Sequence, residues 1–397
     1  MGRDRLAFRE FLTPNSRPYE LGANEDANLV GMRLYGEGPF HRELKPALKI
    51  MKKSHFVIRK GDVIFNKLFA WKGTFGIVPC ELDGMLVSDK FPTYELDRTK
   101  VDENFLQWFF CYPPLWQQAR TLSTGSAALS KLTLNPPKFL LLTMPNFSLQ
   151  EQMQIAAKIE ALATKIQDTR DFREQAEQEV QWLQSSFINR ELGKHAPTGF
   201  LEDVLLGKPR NGWSARCDNM EGGIPVLALG AVTGFRYRPN QFKRTSEPVS
   251  EEADYWLKPG DLLITRSNTP ELVGHAAIYD GTPSPCIYPD LMMRLAIDEG
   301  KASKEFVHWW LRGAVTRDYI KKSARGTSAT MKKISQGVVA RIPFPAGLAI
   351  ETQRRIVTYL DSLQAKVDAL KKLQAETAAE LAAFLPSILD KAFKGEL

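Results

Sequence analysis

Acidic and basic side chains in the second half of the sequence include the types needed for metal-assisted cleavage of a phosphodiester. Asp290, Glu299 and Lys301 fit a loose nuclease pattern, in which paired carboxylates hold a divalent cation beside a lysine. The corresponding stretch of the first half, from Asp89 to Asp97, keeps acids but lacks the Glu-x-Lys end. A strand that ends in an acidic turn explains both copies. The pattern therefore favours a structural interpretation over a nuclease site.

A second group, Asn135-Pro136-Pro137, begins like the Asn-Pro-Pro-aromatic motif of adenine-amino methyltransferases, whose ring stacks on an extruded adenine. The fourth residue here is Lys138, which has no ring, and no convincing glycine-rich cofactor loop lies upstream. The histidines and cysteines show no metal-ligand spacing, and the sequence has no phosphate-binding loop that ends in Lys-Ser or Lys-Thr. We therefore predict no catalytic residues, no metal and no cofactor, and a protein that recognises another molecule.

The composition indicates what that other molecule is. The 397 residues carry a formal net charge of +7, which favours a polyanion, nucleic acid ahead of an acidic membrane. An ordinary basic cytosolic protein is the alternative. The content of 43% hydrophobic and 25% charged residues is typical of a globular protein of two to three domains. Because no apolar run reaches about 18 residues and the start has no signal core, we expect a cytoplasmic protein outside the membrane.

Two long helices are predicted to position the other elements. The first begins at Ser148, where Glu151 completes a capping box, and runs to about Leu192. The second repeats its apolar pattern 201 residues later, and Pro386 is expected to kink or end it near its last turn. The seams are Ile155, Ile159, Leu162, Ile166, Ala176, Val180, Leu183 and Phe187, interrupted by Thr169 and Arg173, and Ile356, Leu360, Leu363, Val367, Leu370, Leu381, Phe384 and Ile388, interrupted by Gln374 and Thr377. These steps of four and three residues form heptad seams, which such helices bury only by packing against a partner.

The segments between the helices are also duplicated. The turn Lys60-Gly61-Asp62 recurs as Lys258-Pro259-Gly260-Asp261, with one extra residue before the glycine. Phe105 and Trp108 recur 201 residues later as Phe306 and Trp309, and Gly125 in a polar loop matches Gly326 at the same offset. A constant offset with small length changes near the early strands is typical of a duplication with diverged loops.

This order predicts an α+β protein with two pseudo-symmetric mixed domains joined by two long antiparallel coiled-coil helices. We expect a first globular domain over residues 1–147, a first helix over 148–194, a second globular domain over 195–349 and a second helix over 350–397. Packed antiparallel, the helices carry the chain from one domain to the other in a dumbbell, and the C-terminus returns close to the first domain.

Two similar basic domains at a fixed distance suit duplex DNA, on which half-site spacing follows protein geometry. Base reading needs Arg, Lys, Asn, Gln, Ser or Thr side chains at groove edges, and Lys or Arg on phosphates fixes the register. Such residues cluster in the expected loops of both domains, with solvated loops of ordinary charge as the alternative. The candidate DNA contacts are Asn66, Lys67, Trp71, Lys72, Arg120, Thr124, Lys131, Arg236, Arg238, Arg266, Ser267, Asn268, Arg325, Thr327, Lys332 and Lys333.

These features together resemble the specificity subunits of type I restriction-modification systems. The resemblance covers nearly the whole chain and rests on short motifs whose order is doubled. The motifs are residues 61–66, 70–73 and 76–79, Pro145 with 150–152 and Ile155, 343–345 with Gln353 and Ile356, and the ending 388–397. The second helix departs from the pattern, because it has Glu351-Thr352-Gln353 where the first has the more typical Gln150-Glu151-Gln152.

The resemblance implies a non-catalytic DNA-recognition subunit. Each globular domain is then expected to be a target recognition domain that reads one half of a split sequence in double-stranded DNA. The helices are expected to set the gap and to dock two adenine methyltransferase subunits, which hold S-adenosylmethionine, and a motor-nuclease subunit would complete a restriction complex. A stand-alone adenine methyltransferase or nuclease and a coiled-coil scaffold that binds proteins are the alternatives.

Overall fold

The chain divides into two compact units in the computed structural model, which describes residues 4–22, 24–46, 48, 50, 54–125, 132–326 and 330–397. One unit is Met1–Glu174 with Gln374–Leu397, and the other is Gln175–Leu373. Each unit therefore contains one globular domain, which we call the first or second head, and part of each long helix. The C-terminal residues belong to the first unit, as the sequence predicts.

The two long helices fall where the sequence predicts them. Within the described residues the helices are α1 (Glu103–Phe110), α2 (Pro113–Leu122), α3 (Pro136–Phe139), α4 (Leu149–Leu192), α5 (Lys304–Arg312), α6 (Ala314–Ser323), α7 (Gln336–Ala340) and α8 (Ile350–Lys394). The predicted capping box starts α4: the Ser148 N–H donates to Glu151 Oε2 at 2.8 Å, and the Glu151 N–H donates to Ser148 Oγ at 3.3 Å. The two long helices, α4 and α8, begin 201 residues apart.

Within its described residues, the first head contains three sheets. Its strands are β1 (Arg5–Ala7), β2 (Leu12–Asn15), β3 (Pro18–Glu20), β4 (Asp26–Met32), β5 (Pro39–Pro46), β6 (Ser54–Val57), β7 (Val63–Phe65), β8 (Phe75–Ile77), β9 (Leu86–Val87), β10 (Thr93–Leu96) and β11 (Thr143–Pro145). β1 pairs with β11, a four-stranded sheet has the order β2-β10-β7-β8, and a five-stranded sheet has the order β3-β6-β9-β4-β5. The predicted turn at Gly61, which has φ of 81°, connects β6 to β7.

The second head repeats the first two of these sheets. Its strands are β12 (Gly199–Phe200), β13 (Arg210–Asn211), β14 (Ile224–Leu227), β15 (Phe242–Thr245), β16 (Leu262–Thr265), β17 (Ser267–Asn268), β18 (Ala276–Ile278), β19 (Met292–Leu295), β20 (Lys332–Lys333) and β21 (Pro343–Phe344). The order β13-β19-β16-β18 matches β2-β10-β7-β8, and β12-β21 matches β1-β11. Two further antiparallel pairs, β14-β15 and β17-β20, are separate. The predicted duplication is therefore present in the topology.

In the first unit, the start of α4 and the end of α8 contribute to the core of the head. Ile155 and Ile159 of α4 and Leu389 and Phe393 of α8 are buried in one cluster with the aromatic residues of α1. Lys158 Nζ donates to the Leu397 carbonyl at 3.3 Å, and Arg173 donates to the Gln374 carbonyl. Because low numbers on α4 meet high numbers on α8, the two segments run antiparallel.

The second unit has the same arrangement with the helices exchanged. Ile188 and Leu192 at the end of α4, with Ile356 and Leu360 at the start of α8, are buried in the core of the second head. Gln184 Nε2 donates to Gln364 Oε1 at 2.7 Å across the pair. The predicted antiparallel pairing is therefore observed within each unit.

Two features of the helices differ from the sequence-based expectation. The last helix passes through Pro386 and ends at Lys394, so the proline does not end it. Pro386 is exposed, and the next two turns are anchored by the buried side chains of Leu389, Ala392 and Phe393, which offset the lost backbone hydrogen bond. The seam is also incompletely buried, since Leu183, Leu370 and Phe384 are 44%, 41% and 54% exposed. A pair of helices covers only one side of each seam.

Candidate nucleic-acid interface

Six of the sequence-predicted residues come together in the second head. Ser267 and Asn268 on β17 pair antiparallel with Lys333 and Lys332 on β20, and Arg325 pairs with the other edge of Lys333. Arg266 directly precedes β17, and its carbonyl accepts the Ile334 N–H at 2.9 Å. We call Arg266, Ser267, Asn268, Arg325, Lys332 and Lys333 the basic ribbon.

Three of the four cationic side chains of the basic ribbon contact backbone carbonyl groups and not carboxylates. Lys332 Nζ donates to the Gly326 carbonyl at 2.8 Å, and Arg325 Nη1 donates to the Lys322 carbonyl at 3.0 Å. Arg266 Nη1 lies 3.4 Å from the Asp290 carbonyl, and Lys333 is exposed. Among the described residues, no carboxylate forms an ion pair with these four cations. Their charge is therefore available for phosphate oxygens.

The polar side chains of the ribbon are less available than its cations. The Ser267 side chain is 1% exposed, and its Oγ has no hydrogen-bond partner within the described part of the chain. Asn268 Oδ1 accepts the Thr269 N–H at 2.9 Å, and Asn268 Nδ2 lies 3.4 Å from Thr233 Oγ1. These two residues therefore shape the ribbon, and the predicted base contacts at them stay predictions.

The first head has a related but looser arrangement. The Leu134 N–H donates to the Lys67 carbonyl at 2.9 Å, as Ile334 does to Arg266, and Thr124 pairs with Thr133. Asn66 Oδ1 accepts the Leu68 N–H at 2.9 Å, so this amide caps a turn. Arg120, in the last turn of α2, is exposed. The predicted contacts Lys131 and Thr327 lie outside the described residues.

Trp71 and Lys72 lie on a separate short turn, Ala70–Lys72, beside the hairpin turn of β4 and β5. Lys72 Nζ lies 5.0 Å from the centre of the Trp71 ring, which is a cation–π distance. The Lys72 carbonyl accepts the N–H of Tyr35, a residue with φ of 62° at the hairpin tip. Trp71 Nε1 is buried and has no partner among the described residues. The turn therefore supports the hairpin, and its predicted DNA contact stays a prediction.

Two predicted residues of the second head are engaged within the protein. Arg236 forms an ion pair with Asp368 on α8, and Arg238 Nη1 donates to the carbonyls of Gly230 and Thr233 at 3.0 and 2.7 Å. Both guanidinium groups therefore hold their own loop in place. A phosphate contact at either residue has to compete with these bonds.

An aromatic and cationic cluster beside this loop was not predicted. Phe235, with φ of 56°, contacts the His275 ring at 4.3 Å between centres, and Arg312 and Arg317 lie 5.8 and 5.6 Å from the Phe235 ring centre. Burial lowers the pKa of both arginines to about 10. Arg312 and Arg317 stand 201 residues after Cys111 and Trp116 of the first head. A comparison of the two repeats could therefore have indicated these two arginines.

Acid is expected to destabilise the second unit through this cluster. Burial, helped by Arg317 and by Arg312 respectively, lowers the pKa of His275 and of His308 to about 4, against about 6.5 in an unfolded chain. Between these values the unfolded state binds protons that the folded state excludes. The free energy of unfolding should therefore fall as pH drops from about 6.5 to 4, by at most ~1.4 kcal/mol per pH unit for each histidine.

Denaturant titrations between pH 7 and pH 4 that follow the unfolding of the second unit measure how its free energy of unfolding changes with pH. The double variant His275→Gln and His308→Gln should have a flatter profile, because both titrating groups are gone. A slope that is the same with and without the two histidines would contradict the assignment.

The two sequence patterns for catalysis have structural explanations. Asn135 precedes the four-residue helix α3 as its N-cap residue, and Ser335 occupies the matching position before α7. Glu299 forms an ion pair with Lys304 at 2.8 Å, and Lys301 Nζ donates to the Asp203 carbonyl at 3.2 Å. No group of three potential metal ligands occurs among the residues that the structure describes.

Curated proteins and solved structures similar to this chain share one description. The specificity subunit of type I restriction enzyme EcoKI from Escherichia coli K12 is 25% identical over 295 residues, which are 70% of this chain and 62% of that protein. The StySPI specificity subunit from Salmonella potsdam is 24% identical over 289 residues, with the same coverage. The matched region thus spans about 62% of the length of these relatives.

The solved structures extend the likeness over the whole chain. A chain from a study of complex assembly and conformational transition of the type I restriction-modification system superposes with a TM-score of 0.74 at 23% identity, covering 100% of this chain and 98% of that one. This chain has the fold of a type I specificity subunit. The specificity subunit HsdS of Thermoanaerobacter tengcongensis follows with a TM-score of 0.57 at 22% identity, covering 100% and 97%. The resemblance predicted from the motifs is confirmed.

No protein-family profile matches this sequence. Among the described residues, none of the helices is both long and apolar enough to span a membrane.

Proposed function

We propose that this chain is the DNA sequence-specificity subunit of a type I restriction-modification system. One observation carries the proposal: two heads that share two sheet arrangements are each built on an antiparallel stretch of the two long helices. Each head reads one half of a split target, and the helices set the unspecified gap between the halves. The names of the curated relatives support the same role.

The basic ribbon is the best-supported part of the DNA surface. Its four cationic residues lie on or beside two short paired strands, and they lack carboxylate partners among the described residues. Lys and Arg on phosphates fix the position of a protein on the duplex, while bidentate contacts in the major groove distinguish bases. We assign phosphate contacts to the ribbon cations, and base contacts remain with the candidate loops of both heads.

The partners follow from the same proposal. Methyl transfer needs a catalytic subunit, which we take to be an adenine methyltransferase that binds S-adenosylmethionine and docks on the helices in two copies. A motor-nuclease subunit completes the complex where DNA is also cut. The carboxylate of Glu299 is held in an ion pair with Lys304, and Asn135 lies at the N-cap position of the short helix α3, which supports a chain without catalysis of its own.

Removing one ribbon cation should weaken binding to all DNA sequences by a similar factor. Lys333→Ala deletes an exposed ammonium group, so the slope of log K against log salt should become shallower by about one unit. Fluorescence anisotropy with a labelled duplex across a salt series measures the slope. Lys301→Ala is the matched control, because Asp298 already neutralises that lysine at 3.7 Å and the slope should stay unchanged. An unchanged slope for Lys333→Ala would remove the phosphate contact.

The direct test of the subunit role is a methyl-transfer assay with radiolabelled S-adenosylmethionine and plasmid DNA. The chain, a type I methyltransferase subunit from the same operon, and the mixture are assayed separately. We expect transfer to adenine only in the mixture. Transfer by the chain alone would support the stand-alone enzyme and return attention to Asn135.

The scaffold alternative is tested by DNA binding. A specificity subunit should lose affinity steeply between low and physiological salt, because binding to phosphates releases counterions. A chain that binds partner proteins but no duplex DNA at low salt would be a scaffold.

A further inference from the structure

A buried glutamine occupies the same place in both units. Gln152, in the first turn of α4, is 1% exposed, and Gln353, in the first turn of α8, is 0% exposed. The two positions are 201 residues apart, like the helices that carry them. Glutamine is mostly exposed in proteins, and a buried polar side chain costs free energy unless it is fully hydrogen-bonded. Each of these amides therefore needs hydrogen-bond partners that offset the free-energy cost of its burial.

In the first unit Gln152 binds three backbone groups of the head. Its Oε1 accepts the Asp102 N–H at 2.8 Å, and its Nε2 donates to the carbonyls of Lys100 and Phe147 at 3.0 and 2.9 Å. Asp102 is the N-cap residue of α1, whose aromatic side chains form the centre of the core. One side chain of the long helix thus fixes both the start of the central head helix and the segment that enters α4.

In the second unit Gln353 makes the same three bonds. Its Oε1 accepts the Ser303 N–H at 2.9 Å, and its Nε2 donates to the carbonyls of Lys301 and Leu348 at 3.1 and 2.7 Å. Ser303 is the N-cap residue of α5. All four positions in this set are displaced by 201 residues from those of the first unit. The residues whose backbone groups are the partners differ in type, Asp102 against Ser303 and Phe147 against Leu348. The hydrogen bonds are the same.

A second pair of bonds repeats beside the glutamines. Trp108 Nε1 on α1 donates to Glu160 Oε2 on α4 at 3.1 Å, and Trp309 Nε1 on α5 donates to Asp361 Oδ1 on α8 at 2.9 Å. The glutamine fixes the N-terminal end of the head helix, and the tryptophan fixes a point one to two turns further along it. Two fixed points on one helix determine its direction on the long helix.

We propose that Gln152 and Gln353 are positioning residues that set the orientation of each head on its own long helix and thereby the gap length that the protein accepts. The proposal rests on the proposed function, because gap selection has meaning only for a split DNA target. One added base pair moves a half-site by about 3.4 Å and turns it by roughly 35° around the duplex axis. A head held by three hydrogen bonds to backbone resists such a change. A head without them tilts to follow it.

The test uses the complete methyltransferase complex and a set of plasmids that carry the same two half-sites with gaps from two base pairs shorter to two longer. The readout is the ratio of adenine methylation at the preferred gap to methylation at gaps one base pair away. Gln152→Met keeps the length of the side chain and removes all three bonds. We expect this ratio to fall by about tenfold, since three backbone groups lose a buried partner, with unchanged half-site sequences. Gln353→Met should give the same result through the other head.

Two controls separate positioning from stability. Gln154→Met changes an exposed glutamine two residues further along the same helix and should leave the ratio unchanged. Leu115→Ala opens the core of the first head at a residue that is 0% exposed, and it should lower total methylation without changing the ratio. If the glutamine variants also lower total methylation at a constant ratio, the bonds serve stability alone and the proposal is wrong. If the parent complex methylates no split target at all, the proposed function fails, and the gap proposal fails with it.

Discussion

Removing one heptad from each long helix should shorten the gap in the DNA target by about three base pairs. Seven residues correspond to roughly 10 Å of helix, and a base pair to ~3.4 Å of duplex. Deleting residues 168–174 from α4 and 373–379 from α8 removes facing segments around the bond from Arg173 to Gln374 and preserves the phase of both seams. Methylation mapping of the variant complex should find both half-sites unchanged and the gap reduced.

The matched control deletes three residues from each helix at the same places. That change breaks the phase of the seam, so we expect lower stability and lower methylation, with no new well-defined gap. A heptad variant that is folded and active at the original gap would show that the helices do not set the distance.

Replacing Phe393 with alanine should lower the free energy of unfolding of the first unit by about 3–5 kcal/mol, although the residue lies only four positions before Leu397. Phe393 is 4% exposed, and its ring centre lies 5.4 Å from Phe105 and 5.0 Å from both Phe109 and Tyr112. The end of α8 therefore forms part of the core of the first head. Hydrogen–deuterium exchange should show loss of protection in peptides from α1 and unchanged protection in peptides from α5.

Phe384→Ala is the control for this substitution. The residue has the same type and lies on the same helix, but it is 54% exposed, so its removal should change stability by no more than about 0.5 kcal/mol. Equal effects of the two variants would mean that the C-terminal turns do not belong to the core of the head.

The long helices were the most predictable elements. Ser148 and Glu151 mark the start of α4 locally, and the seam needs no knowledge of distant residues. The 201-residue offset also gave the correspondence of the heads, because paired turns and aromatic residues recur in order. Pro386 was expected to kink or end the helix because sequence rules evaluate a proline by the backbone hydrogen bond that it removes. They do not include the burial of Phe393 two turns later, which depends on the fold of residues far away in the chain.

The five-stranded sheet of the first head was not predicted. Its strands β4 and β5 contribute a long hairpin, β9 pairs parallel with β4, and β3 pairs with β6 across a long insertion. Such pairings depend on contacts between distant segments, which periodicity within a short window does not encode. The second head lacks an equivalent sheet among its described residues, so the internal repeat offered no second copy for comparison.

The DNA contacts of individual residues stay predictions, and the structure adds which of these residues lie together. Arg266, Lys332 and Lys333 do come together, because β17 and β20 pair, but sequence reasoning had placed them in two separate loops. Arg236 was chosen for its charge, and its ion pair with Asp368 joins positions 132 residues apart. Residue type indicates which side chains can bind phosphate. Only the fold indicates which of them already have a partner within the protein.

We propose that this chain gives a methyltransferase its split recognition sequence. The most direct measurement is sequencing of methylated adenines across a plasmid and a bacterial genome after co-expression of the chain with its type I methyltransferase subunit. We predict one bipartite motif, with two specified halves separated by a gap of constant length, which disappears when the chain is omitted. A methylated motif that is continuous, or that stays the same without this chain, would contradict the account.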